Sequence, residues 1–273
     1  MKIQNLSNTP LEEIVTCLLK SFEGYFVKMP DDVDFWKSRL KAARVDFGLS
    51  FGVFDKEELV AFILNGIDTD QQQKTAFNTG TGVLPAYRGQ GLVDKMYDHA
   101  FPILKQRGVS KCKLEVITKN DRAIKVYERI GFEKKRRIKC FSGDLTAATN
   151  TDITLTETDL NDIRSLCDGT VYSWENSFAA VTLARENYKV YKVKRHQADT
   201  PAIDYVILNP ATGYIAQLAA TAGNWDMVFE GIKQVCAWVK INNIDENRTD
   251  LLHHLAKEGL QNTIDQYEMV LPI

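Results

Sequence analysis

"GTGVLPAYRGQGLVDKMYDHA", residues 80–100, passes from an apolar stretch through Pro85 into two closely spaced glycines and then directly into helical spacing. Leu92, Met96, Ala100 and Ile103 fall on one face of that helix, which Gly108 ends. The first amides of a helix have no intrahelical partner, and the helix dipole adds roughly half a positive charge beside them. Glycines at 89 and 91 remove the side chains that would hold an anion away from those amides, and Arg88 adds a full charge at the same spot. The residues leave two readings, a plain strand–helix turn or a seat for a diphosphate. Two phosphate motifs are excluded. A P-loop needs Lys and Ser or Thr after its last glycine, where Leu92 and Val93 stand, and "GTGVLP" ends in proline where the dinucleotide fingerprint needs a third glycine.

Upstream, a short strand near Lys2–Leu6 precedes a helix from Pro10 with Leu11, Ile14, Val15, Leu18, Leu19 and Phe22 on one stripe. A second helix spans about Asp32–Ala43. Strand-like "GLSFGVFD", "LVAFILNGI" and "KTAFNTGTGVL" follow, and the glycines at 80 and 82 suggest a bulge or a close backbone approach. Downstream comes the strand "CKLEVIT", then the helix "NDRAIKVYERIG", with Asn120 as N-cap and Gly131 as stop, and then the strand "FEKKRRIKCFSGDL".

This order is apolar strand, V-x-P, R-x-x-G-x, helix, "LEV", then N-x-x-A-x-x-x-Y-x-x-x-G-F. It resembles the GNAT superfamily of N-acetyltransferases over residues 1–143. "GTGVLPAYRGQGLV" at 80–93 is similar to the acyl-CoA pyrophosphate motif, and "KLEVITKNDRAIKVYERIGF" at 113–132 to the second motif. Val93 departs from the pattern, which has Gly or Ala there, and sets a β-branched side chain at the helix start. The resemblance implies an α/β (α+β) fold, a mixed and mostly antiparallel sheet flanked by helices. It implies acetyl-CoA as donor, with Gly82 and Val83 offering backbone groups to the pantetheine arm. Arg88, Gly89, Gln90, Gly91, Leu92 and Val93 would hold the pyrophosphate, and Asn120 would touch the cofactor arm.

Tyr127 falls where the family places the residue that protonates the departing thiolate; unaided, it reads first as a helix-face tyrosine filling core, and the resemblance reverses that order. Tyrosine near pKa 10 giving its proton to a thiolate near 8.5 is uphill by about 2 kcal/mol, so Tyr127 has either a lowered pKa or a hydrogen-bonding role. Glu115 resembles the base of the branch that acetylates a ribosomal protein's N-terminal amine; its other reading is a strand carboxylate paired with a Lys or Arg. A base matters because a lysine-like amine pays roughly 4–5 kcal/mol to become neutral at pH 7, and an α-amine only about 1. Tyr25, Phe26 and Met29, between the first two helices, line an acceptor pocket or simply pack.

After Asp144 the sequence becomes small and polar, which puts the domain boundary between 145 and 152: a catalytic domain over 1–145 and a second over 152–273. The second half repeats the order of elements. It has a helix near Thr158–Cys167, apolar runs "AIDYVILN" and "GYIAQLAAT", and an amphipathic helix with Trp225, Val228, Phe229, Ile232, Val235, Cys236 and Val239 on one face. "WVKINNIDENRTDLLHHLAKEGL" mirrors the strand–Asn–helix–Gly order seen earlier. No Arg-Gly-x-Gly precedes Trp225, and Leu255 or His254 stands at the place of Tyr127, so this half reads as a degenerate GNAT-like domain.

A net charge of −2 gives no electrostatic case for nucleic acid or an anionic membrane, and no apolar run is long enough to span a bilayer. No signal sequence is evident, and five widely spaced cysteines without a C-x-x-C point to reduced, buried thiols in a cytoplasmic protein. Neither cysteines nor histidines show metal-ligand spacing, so no metal is expected. The acceptor would be an amine on a small molecule or a protein. The other function class left open is a non-catalytic acetyl-CoA sensor or interaction module, and homodimer formation is also left open.

Overall fold

The computed structural model describes residues 1–273 except 71, 149, 151, 167–170 and 196–203. The chain divides into two compact units, residues 1–135 with 267–273, and residues 136–266. This division falls earlier than the polar stretch at 145–152, and the chain's last seven residues return to the first unit. Leu145, inside that polar stretch, is buried in the second unit's core, and its amide donates to the Ala237 carbonyl.

The first unit opens with β1 (Lys2–Asn5), α1 (Leu11–Ser21), α2 (Val33–Ala42), β2 (Phe51–Asp55), β3 (Glu58–Asp70) and β4 (Gln73–Val83). It continues through α3 (Leu92–Gln106), β5 (Lys111–Ile117) and α4 (Asp121–Ile130). β1 to β4 pair antiparallel in sequence order, β4 pairs parallel with β5, and the chain's C-terminal strand lies beside β5. The parallel step needs a crossover, which α3 supplies. β3 is buried without a break from Leu59 to Gly66, and Phe51, Phe62, Met96, Leu104 and Leu114 are fully enclosed around it. Asp32 caps α2 by accepting from Asp34 N, and Asn120 caps α4 by accepting from Ala123 N.

β6 (Glu133–Asp144) leads into the second unit, which holds β7 (Ile153–Glu157), α5 (Phe178–Leu183), β8 (Lys189–Arg195), β9 (Asp204–Asn209) and β10 (Tyr214–Ala219). α6 (Trp225–Ile232), β11 (Trp238–Asp245), α7 (Thr249–Lys257) and β12 (Gln261–Pro272) follow. Within this unit β6, β11, β10, β9, β8 and β7 lie in that order, antiparallel except for the parallel pair β10–β11 that α6 bridges. The helix expected to reach Val239 stops at Ile232. The amides of Val235 and Cys236 both turn back onto the Ile232 carbonyl, and the chain enters β11 three residues later than Val235. Of the helix expected at 158–167, residues Leu160–Leu166 form a tight 3₁₀ stretch, while Cys167 lies outside the described residues.

Gly213 makes the β9–β10 turn at φ +65°, and a Cβ there would overlap the Trp238 carbonyl oxygen. Gly213→Ala is therefore expected to cost about 2–4 kcal/mol, from backbone strain plus overpacking. Chemical denaturation of the full chain measures it.

Candidate active site

β4 and β5 pair over only four positions, from Thr75–Lys111 to Asn78–Leu114, and then diverge. The remainder of β4, residues 79–83, keeps β3 on one side and is left beyond the last β5 pair on the other. A bulge starts this stretch, because Asn65 faces Asn78 and Leu64 faces Gly80, leaving Thr79 opposite no residue. The Asn78 side chain fixes the bulge from within: its Oδ1 accepts from Gly80 N, and its Nδ2 donates to Thr81 Oγ1 at 2.6 Å and to the Tyr97 hydroxyl at 2.8 Å.

The two faces of this opening carry different chemistry. Asn78 and its neighbour Thr81 face Tyr97 of α3, and Tyr127 on α4 stands close to both Thr81 and Asn78. Burial pushes the Tyr127 pKa up, those polar neighbours pull against it, and the direction stays upward. A lowered pKa is thus not how Tyr127 would serve a leaving thiolate. The Phe132 ring meets Tyr127 edge-on at 5.9 Å and fixes its plane. Gly80 and Gly82 face the other way, toward Phe62 and, at Gly82, toward Ser21 of α1. Leu114 is in register with Asn78, so Glu115, one residue on, belongs to the α1 face.

At the far end of β4 the chain turns through Pro85–Tyr87 into the glycine turn. Gly89 and Gly91 have φ of +79° and +68°, and nothing lies within 4 Å of where their Cβ atoms would stand. The amides of residues 89–93 donate to no carbonyl or side chain among the described residues. Five successive unpartnered N–H groups at a helix start are donors of the kind an anion can take up. Lys95, one turn into α3, brings its Nζ to 3.3 Å from the Gln90 carbonyl and adds a cation beside it. Arg88 is placed otherwise than its charge suggested: it donates to the carbonyls of Ser21 and Val83 and ties the turn to the end of α1.

Asp94, in the first turn of α3, would oppose an anion. Arg129 of α4 grips it bidentately at 2.7 Å, and that hydrogen bonding holds the Asp94 carboxyl below its usual range. Arg129→Gln frees this charge, so the affinity of the turn for inorganic pyrophosphate as a probe should fall about 3- to 10-fold in low salt. Titration at two ionic strengths checks the figure, since screening should narrow the gap.

Asn120 has both ends of its amide engaged, Oδ1 in the α4 cap and Nδ2 donating to the Tyr25 hydroxyl at 3.3 Å. Tyr25 and Met29 line a pocket of ≈ 470 Å³ with Leu19, Phe22 and Val27, while Phe26 is half exposed and stands edge-on to Tyr25. Cys112, just before the opening, is buried and its thiol is pushed up to about 12.

The same architecture recurs in the second unit with its contents changed. β10 and β11 pair only at Tyr214–Lys240 and Ile215–Ile241, and the ladder to β9 skips Ala216. Here the opening is filled from within. The Tyr172 hydroxyl donates to the Leu218 carbonyl at 2.9 Å and accepts from the Leu218 amide at 3.2 Å, and Asn176 Nδ2 donates to the Asn242 carbonyl. On α6 and the end of α7, Asp226, His254 and Glu258 form a cluster, but Lys257 is bonded to Asp226 and Lys233 to Glu258, so ammonium groups already neutralise both carboxylates. No helix among the described residues is long and apolar enough to cross a membrane.

The Acetyltransferase (GNAT) family model matches residues 11–132, the stretch that contains both the glycine turn and the Tyr127 helix. Residues 11–132 are a GNAT domain. The [Ribosomal protein bS18]-alanine N-acetyltransferase of Escherichia coli K12 is 34% identical over 86 residues, which is 32% of this chain and 55% of that protein. N-alpha-acetyltransferase 30 of Schizosaccharomyces pombe is 34% identical over 56 residues, 20% of this chain and 37% of that one. The chain thus matches about half or less of each relative's length. A tandem GNAT protein from the clavulanic acid biosynthesis pathway shares the fold with a TM-score of 0.71 at 11% identity, covering 99% of this chain and 98% of its own. A GCN5-related N-acetyltransferase from Sphaerobacter thermophilus does so with a TM-score of 0.71 at 10% identity, covering 99% and 95%. The GNAT domain therefore sits in a chain whose fold is that of tandem GNAT proteins, a mixed, mostly antiparallel architecture flanked by helices.

Proposed function

We propose that the first unit is an N-acyltransferase that moves an acetyl group from acetyl-CoA to a primary amine by direct attack. The observation that carries this reading is the placement of Tyr127 and Glu115 on opposite faces of the β4–β5 opening, with the unpartnered amides of 89–93 at its end. The diphosphate takes those amides, and the pantetheine arm follows the β4 edge past Gly82 and Val83 toward Asn120. That places the thioester between Glu115 and Tyr127.

The amine enters through the pocket beside Tyr25 and attacks the thioester carbon. Its surplus proton passes to Glu115 directly or through a water, and the Tyr127 hydroxyl donates a hydrogen bond to the sulfur as charge builds there. Burial of the Cys112 thiol argues against a covalent acyl-enzyme, because its thiolate is scarce at neutral pH. The second unit works as a degenerate partner, its opening held by Tyr172.

Calorimetric titration of acetyl-CoA tests the reading. One site per chain with micromolar affinity is expected, followed by amine-dependent release of CoA. Two sites per chain would contradict the degenerate second unit, and no binding would remove the acyltransferase reading altogether.

A further inference from the structure

Thr79 stands at the one position of β4 that has no counterpart on β3, immediately past the last β4–β5 pair. Its Oγ1 is buried and has no hydrogen-bond partner among the described residues. A hydroxyl taken out of water and left unbonded is a net cost to folding, and native proteins seldom carry one without a use for it. Asn78 and Thr81 face α3, whereas Gly80 and Gly82 face α1. Asn78 is in register with Leu114, so Thr79 and Glu115 are the residues that directly follow the last β4–β5 pair, side by side at the mouth of the opening.

The second unit supplies an internal comparison. There the last parallel pair is Ile215–Ile241, and the skipped residue that follows it is Ala216. The register sets Ala216 in the place of Thr79 and Asn242 in the place of Glu115. The unit that has lost the glycine turn and the tyrosine has thus lost this hydroxyl and this carboxylate as well. A threonine needed only to shape the bulge would not have to disappear with the chemistry, since Ala216 supports the same register shift without it.

Resting on the acyl-transfer reading above, we infer that Thr79 is a positioning residue for the attacking nitrogen: its Oγ1 accepts one N–H of a primary amine whose other N–H faces Glu115. A neutral primary amine has two N–H bonds and one lone pair. With both N–H bonds held, the lone pair points at the thioester carbon. The C–N bond forms, the C–S bond breaks, the proton facing Glu115 moves to its carboxylate, and the sulfur leaves with a proton from Tyr127 or solvent. A secondary amine has a single N–H, which the reaction must give to Glu115, so it forfeits the Thr79 contact. Thr79 thereby selects primary over secondary amines.

The experiment uses the full chain as wild type, Thr79→Val and Thr79→Ser. Probes are ethylamine and N-methylethylamine, together with an alanine-initiated peptide and its N-methyl form. Valine has the shape of threonine without the hydroxyl, so Thr79→Val should raise the melting temperature of the free protein by about 2–4 °C. It should leave acetyl-CoA affinity unchanged and lower kcat/KM for the primary amines by about 10- to 100-fold. The preference for the primary over the N-methyl probe should vanish with it, and Thr79→Ser should restore both. A Thr79→Val protein that melts lower than wild type, or that keeps wild-type activity and the same preference, overturns the assignment while leaving acyl transfer intact. A wild type that binds acetyl-CoA but acetylates none of the probes overturns the acyl-transfer reading and the assignment with it.

Discussion

Gly91→Glu abolishes acetyl-CoA binding, by 100-fold or more, on the proposed placement of the diphosphate. Three effects combine at this residue. The glutamate carboxylate reaches the same unpartnered amides of 89–93 and competes for them. Its charge repels a diphosphate at close range. Its Cβ also holds the backbone at φ +68°, where a side chain costs about 1 kcal/mol. The last effect separates cleanly, because asparagine tolerates this region far better than other residues and carries no charge. Gly91→Asn should therefore keep most of the affinity, and both variants should stay folded since nothing crowds the site within 4 Å. If Gly91→Glu binds acetyl-CoA within 3-fold of wild type in calorimetry, the diphosphate does not sit at this turn, and the turn is only a turn.

How much of this was legible in the sequence depends on how local each signal is. The glycine turn, the Asn120 cap and the Gly131 stop are made by residues within a few positions of one another, and the structure places each element where that reading set it. Thr79 could not be found the same way. The glycines at 80 and 82 hinted at a bulge, but which residue is left over depends on the register with β3, fifteen residues away along the chain. The partner of Arg88 is more distant still: the carbonyl of Ser21 lies sixty-seven residues upstream, and a positive charge beside a glycine turn reads naturally as a phosphate ligand.

The division into units was not legible for a related reason. The run 145–152 has the composition of a linker, yet Leu145 is packed and hydrogen-bonded, while the change of unit falls inside a continuous strand at Lys135–Arg136. Strands carry no mark of which neighbour they will pair with. Nor did the segment 178–195 declare itself. "KVYKVKR" alternates, but its polar positions are all lysine or arginine, which reads as a solvated run until β7 and β9 are beside it.

Tyr127→Phe and Glu115→Gln should separate two halves of one reaction. Loss of the Tyr127 hydroxyl removes the hydrogen bond to the departing sulfur, an interaction that strengthens only as the C–S bond breaks. kcat should fall about 100- to 1,000-fold while the KM for either substrate moves little. Because burial raises the Tyr127 pKa, the hydroxyl stays protonated through pH 9, so the wild-type rate should show no falling limb there. Had its pKa been lowered, the rate would drop as the hydroxyl lost its proton.

Glu115→Gln should behave differently with pH. At pH 6.5 an α-amine near pKa 8 is mostly ammonium, and a base beside it contributes the full advantage of deprotonation, about 10- to 100-fold. At pH 9 the amine is already neutral and only the later proton remains to be taken, so the gap between wild type and variant should shrink. In Tyr127→Phe the gap should stay constant over the same range. A Glu115→Gln deficit that is equally large at pH 6.5 and 9 would mean that Glu115 holds the amine rather than accepting its proton, leaving water as the base.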